Sequence, residues 1–204
     1  MASYRAVNGV LLSLEHFLTT RMPPELRAGG VNASVKLFGS NTIADAQTGN
    51  YLGIYLHRLA IDPHGRSRFF SPQGTDKNTG PAPELPVNLH LLLMASGSSA
   101  TIEADLLAWA MMALANESRM DASHLTEYDD SWTAKEILTI APDEITNEDM
   151  LRIWDALKVS FTLSMPYVIR TLRLRLNAQM TEGPAVVSRI FPTGVAESVA
   201  LPRE

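Results

Sequence analysis

The 204-residue chain carries 17 Lys and Arg against 22 Asp and Glu, a formal charge of −5 that gives no general electrostatic reason to bind nucleic acid. It contains no cysteine, which excludes disulfides, thiolate metal sites and a cysteine nucleophile and favours assembly in the cytosol. With 46% hydrophobic and 19% charged residues, it has the make-up of one large folded domain, or a domain with a tail, and not of a disordered segment.

The opening stretch MASYRAVNGVLLSLEHF lacks the basic start, unbroken apolar centre and small-residue cleavage site of a secretory signal. From Ser3 onward, Tyr4, Val7, Leu11, Leu14 and Leu18 recur at three- and four-residue steps, predicting a helix capped by Ser3 and stopped by Pro23-Pro24. After Gly29-Gly30 the period changes to two, with Val31, Ala33, Val35 and Leu37 on one face of a strand. YLGIYLHRLAI, residues 51–61, reads as a second strand in which Leu52, Ile54 and Leu56 alternate with Tyr51, Tyr55 and His57. Both sets are at least partly apolar, so this strand is expected to be covered on both faces.

Residues 62–84, DPHGRSRFFSPQGTDKNTGPAPE, form a long Pro- and Gly-rich connection holding the aromatic pair Phe69-Phe70, and a loop of that length is usually functional or mobile. ELPVNLHLLLMAS, residues 84–96, then reads as a buried strand, with Val87, Leu89, Leu91 and Leu93 on one face and Leu92 and Met94 on the other. Pro86 fits near a strand's start. The aliphatic run is far shorter than the ~20 residues that span a bilayer as a helix, so direct membrane insertion is not expected.

SGSSA leads into TIEADLLAWAMMALA, a helix whose stripe is Ile102, Leu106, Trp109 and Ala113, with Glu103 and Asp105 near its positive end. EILTI predicts a short strand. Thr146 and Asp149 match the looser form of a capping box, opening a helix that buries Met150, Ile153, Trp154 and Leu157. FTLSMPYVIRTLRLRL is a long extended segment in which Arg170 has the opposite parity to Arg173 and Arg175, and Pro166 points to a sheet edge or a bulge. The stretch TEGPAVVSRIFPTGVAESVALPRE has weak periodicity. We therefore divide the chain into a domain over residues 1–178 and, over 179–204, a C-terminal tail or extra edge strand. The order of elements, without internal repeat, predicts an α+β fold: a single mixed β-sheet with helices packed on it.

Chemistry is sparse. The histidines His16, His57, His64, His90 and His124 lie in separate elements without HxH or HExxH spacing, so no metal site is assigned; His57 and His90 are the two whose strands could bring them together. ASGSSA lacks the nucleophile elbow, and its serines are accounted for as a strand-to-helix turn with a cap. Of the carboxylate pairs, Asp143-Glu144 and Glu148-Asp149 flank a helix start, and Asp129-Asp130 reads as a solvated loop. No phosphate-binding loop, dinucleotide fingerprint or calcium loop is present. Arg170, Arg173 and Arg175 either guard a sheet edge or meet an acidic partner, and Phe69 and Phe70 either anchor their own loop or project into a neighbour. These five residues are the candidate partner interface, with no catalytic, cofactor or metal residue named.

Three segments, YRAVNGVLLSLEHFL, ELPVNLHLLLMASGSSATIEADLLAWAMMAL and EDMLRIWDALKVSFTLSMPYVIRTLRL, together resemble the tube-terminator, or cap, proteins of antifeeding-prophage-type contractile injection systems. The resemblance spans residues 4–176. Its most specific parts are the LPVNLHLLL strand leading into a helix and the pairing of MLRIWDAL with the LSMPYV strand. It implies a phage tail-terminator-like fold and a non-enzymatic protein that needs no cofactor. The implied action is a ring, usually six-fold, that closes the end of the inner tube and sheath and stops growth.

The implied partners are therefore further copies of the chain, in a hexamer, and the tube and sheath subunits; assembly is expected in the cytoplasm, with release as part of an extracellular particle left open. The final strand or the tail is expected to offer the sheet edge for such contacts. Residues 62–84 and the C-terminal tail depart from the family in composition. Two alternatives stand beside this expectation: a peptide-binding adaptor with an open sheet edge, and a hydrolase using Asp129, Asp130 and a histidine.

Overall fold

The computed structural model describes residues 3–43, 49–64, 84–125 and 137–175. Its helices are α1 (Ala6–Arg21), α2 (Pro24–Arg27), α3 (Ala100–Asn116), α4 (Ala122–Leu125) and α5 (Asn147–Leu157). Its strands are β1 (Ser34–Phe38), β2 (Tyr51–Ile61), β3 (Glu84–Ser96), β4 (Arg119–Asp121), β5 (Ile137–Pro142) and β6 (Ser164–Arg175). They form one six-stranded sheet in the order β1-β2-β3-β6-β5-β4. Among the described residues only β1 and β2 run parallel, so the sheet is mixed and the α+β expectation holds.

The sheet is covered on both faces, and β3 shows why its sequence is nearly all aliphatic. Leu89, Leu91 and Leu93 point into the larger core, where α1 contributes Val10, Leu14 and Leu18 and α3 contributes Leu106, Ala110 and Leu114. Leu92 and Met94 point the other way, into a smaller cluster with Trp154 of α5 and Ile43. A strand buried on both faces has no solvated set of side chains to alternate with. Tyr55 of β2 and Phe38 of β1 complete the α5 side.

Local signals place the helices. Ser99 accepts a hydrogen bond from the Ile102 amide at 3.4 Å, so the serine turn is a helix cap. Thr146 Oγ1 accepts from the Asp149 amide at 3.0 Å, the N-cap half of a capping box, and its hydroxyl donates to the Asp149 carboxylate at 2.8 Å. Lys158, at φ 55°, closes α5 in the left-handed conformation. The first helix departs from expectation: it begins at Ala6, and Ser3 holds the preceding turn by accepting from the Arg5 amide. Tyr4 therefore lies outside the apolar stripe and is 77% exposed.

A second correction concerns β6. It lies between β3 and β5 and is not an outer strand of the sheet. Pro166 is tolerated because its carbonyl accepts from the Asp143 amide, just past the end of β5. The nitrogen of an extended residue points to the same side as its own carbonyl, so the missing N–H of Pro166 faces a position where the β5 ladder has already stopped.

Candidate functional site

The longest strands outrun their neighbours. β1 pairs only with residues 51–55 of β2, and β5 only with residues 167–170 of β6. Beyond those limits β2, β3 and β6 continue together, so among the described residues this end of the sheet is a three-stranded extension.

Two bulges shape the extension. On β2, Leu56 pairs with Leu91 and Arg58 with His90, leaving His57 as the extra residue. On β6, Ile169 pairs with Leu89 and Leu172 with Val87, so Arg170 and Thr171 together oppose Asn88. This second bulge changes the parity of everything after it. Ile169 and Leu172, three residues apart, both enter the larger core, and Leu174 packs against it. Arg170 and Arg173 consequently emerge on the same face, the one that carries α5, and both are exposed. The simple alternation had set them on opposite faces; the extra residue reverses that. Arg175 ends the strand opposite Glu84.

The same face carries a polar cluster. His90, an even-numbered β3 residue, donates through Nδ1 to Asp143 Oδ2 at 2.6 Å, and both side chains are largely buried. The His57 ring meets the His90 ring edge-on at 6.2 Å. Burial, with His90 and Arg58 adding to it and Asp143 opposing, lowers the pKa of His57 below its usual 6.5. His57 Nε2 and Asn88 Oδ1 are buried without a hydrogen-bond partner among the described residues. Thr171 donates to Asp62 at 3.2 Å, tying the far end of β2 to β6.

His57 and His90 are thus brought together as their strands allowed, yet among the described residues no three metal-ligating side chains converge. Asp143, the partner of His90, was not predicted because 53 residues separate the two and no local spacing joins them. Phe69, Phe70, Asp129 and Asp130 lie outside the described residues, as does the division at 178/179.

On the opposite face the extension is apolar and partly bare: Leu59 is 48% and Ile61 51% exposed. A separate open groove of about 680 Å³ runs between α1, α2 and α3, lined by Arg21, Leu26, Asp105, Trp109 and Met112.

The helix-backed mixed sheet is an α+β domain, and its fold is similar to that of sheath/tube terminators. It is similar over 96% of its length to a solved PVC sheath/tube terminator of an extracellular contractile injection system in the extended state, with a TM-score of 0.57 and 16% identity. It is similar over 94% of its length to the tube-terminating cap of the anti-feeding prophage, with a TM-score of 0.56 and 14% identity. The chain spans 66% and 61% of the lengths of those two proteins. It belongs to the Pvc16 N-terminal domain family, whose model matches residues 9–188. No curated protein matches it.

Proposed function

We propose that this chain is a structural cap that terminates the inner tube and sheath of a contractile injection system. The observation that carries this reading is the fold match, over 96% of this chain, to a sheath/tube terminator, together with membership of the Pvc16 N-terminal domain family. The cap acts by assembly and without catalytic turnover: copies of the chain close into a ring, six-fold in symmetry, that meets tube and sheath subunits at the particle end. A ring of identical subunits needs two different, mutually complementary surfaces on each copy.

Residues 1–178 form the capping domain, and residues 179–204 a tail or extra edge strand. Arg170, Arg173 and Arg175, with Phe69 and Phe70, supply partner contacts. Support for the arginines comes from the bulge that sets Arg170 and Arg173 side by side on one exposed face. Assembly takes place in the cytosol, and the finished particle carries the cap outside the cell. Among the described residues no helix is long and apolar enough to cross a membrane.

The test is to image particles assembled without the chain. Tubes of uncontrolled length, restored to uniform length when the full chain is added back, support the cap. Particles of normal length without it refute the reading. Mass measurement of the full chain with tube protein checks the ring: a six-copy species is expected, and a persistent monomer counts against it.

A further inference from the structure

Among the described residues the outer edge of β2 is left unpaired where two of its aliphatic side chains, Leu59 and Ile61, are about half exposed. β1 stops at Phe38, opposite Tyr55, so residues 56–61 of β2 have no strand on that side among the described residues. Six residues of strand present about 20 Å of edge. Which backbone groups face outward follows from one bond: the Asp62 amide donates to the Pro86 carbonyl at 2.9 Å, toward β3. Antiparallel ladders alternate, so residues 58 and 60 also face β3, and the N–H and C=O groups of Leu59 and Ile61 point away from it.

Natural sheets blunt exposed edges with charge, proline or brevity. This edge has one arginine, Arg58, and two half-exposed aliphatic side chains, Leu59 and Ile61. The charges nearby are also one-sided in what they leave unmet. Asp143 is taken by His90, and Asp62 by Thr171. Arg58 and Arg170, both exposed on the α5 face, form no ion pair among the described residues.

We propose that residues 56–61 of β2 accept an extended segment of another protein as an added strand, one in which apolar side chains alternate with acidic ones. The apolar set lies over Leu59 and Ile61, the acidic set lies beside Arg58, and the outward backbone groups of Leu59 and Ile61 supply the ladder. Charge decides against the part of this chain's own β6 that extends past β5 as occupant: it carries Arg173 and Arg175, which would bring like charges toward Arg58. Arg173 is moreover already engaged in a further contact.

The full chain is titrated against a fluorescent seven-residue peptide of alternating valine and glutamate, and against its valine and lysine counterpart, by anisotropy. Hydrogen exchange is followed in parallel. The glutamate peptide is expected to bind at least tenfold tighter and to slow exchange at Leu59 and Ile61. Ile61→Pro removes an outward N–H without touching the β3 ladder and is expected to weaken binding at least tenfold. Arg58→Glu, on an exposed side chain, is expected to reverse the peptide preference and keeps the test open if the proline variant does not fold. Equal binding of both peptides, no binding, or protection elsewhere overturns the proposal. So does a homodimer that protects Leu59 and Ile61 without peptide, since it makes a second copy the occupant. Particle length is a separate readout, so failure here and failure of the cap reading are told apart.

Discussion

Gly53 is the position at which a single methyl group tests the packing of the sheet. It lies in β2 between β1 and β3, and a Cβ built on it would sit 2.6 Å from Met94 Cγ and 2.7 and 2.9 Å from two ring carbons of Phe38. Two effects of Gly53→Ala oppose each other. Loss of glycine's freedom in the unfolded chain favours alanine by about 0.4–1 kcal/mol. Overpacking a filled site costs about 1–3 kcal/mol. The second wins if the neighbours cannot retreat. Met94 is 1% exposed, and Phe38 is held edge-on against Tyr51 at 5.2 Å while packing into the α5 cluster. The expected net loss is about 1–2 kcal/mol, read as a lower urea midpoint with unchanged slope. Adding Phe38→Leu should relieve part of the clash, so the double variant should be more stable than the sum of the single effects by at least about 0.5 kcal/mol. A Gly53→Ala protein as stable as the parent, or strictly additive effects, would refute the packing account.

Trp154 is 3% exposed and is the buried residue by which α5 holds the sheet, so Trp154→Ala should cost about 3–5 kcal/mol and expose Leu92 and Met94 to a hydrophobic dye; a smaller loss would mean that α5 is held elsewhere. Ser13 is 3% exposed, and its hydroxyl has no partner among the described residues, so Ser13→Ala should leave thermal stability unchanged or raise it by up to about 1 kcal/mol, and a marked loss would reveal a missed hydrogen bond. His57, whose pKa burial lowers below 6.5, binds its proton less tightly folded than unfolded, so its contribution is intact above 6.5 and is lost as pH falls through 6.5 toward the lowered value. The urea midpoint should therefore drop between pH 7.5 and 5.5, and drop less in His57→Gln; an identical change in both proteins would remove His57 from the effect.

Much of this architecture is legible because short-range chemistry announces it. The period-2 and period-3.6 patterns, the Ser99 and Thr146 caps and the two-sided aliphatic run of β3 are each set by residues within one or two turns of each other. Strand order is different in kind. Whether β6 lies at an edge depends on which strand comes to lie against it, and a proline near its start is compatible with either answer. The arginines were misplaced for a related reason: parity counting assumes an unbroken ladder, and the extra residue at Arg170 and Thr171 is visible only against Asn88 of β3. His90 and Asp143 are likewise joined by topology alone, through the pairing of β3 with β6 and of β6 with β5.

The mismatch in strand length bears on how such a domain is used. β2, β3 and β6 have 11, 13 and 12 residues, whereas β1, β5 and β4 have 5, 6 and 3. Where the short strands and helices reach, nearly every inward side chain is buried. Where they stop, Leu59 and Ile61 remain about half exposed. Fully burying an aliphatic side chain is worth roughly 1.5–3 kcal/mol, so each of these residues forgoes about half of that in the isolated chain. An unpaired backbone edge adds no stability either, since its groups bond equally well to water. The uncovered stretch is therefore a cost of the monomer that contact with another chain can recover. That relation is the one expected under the proposed addition of a strand at residues 56–61 of β2.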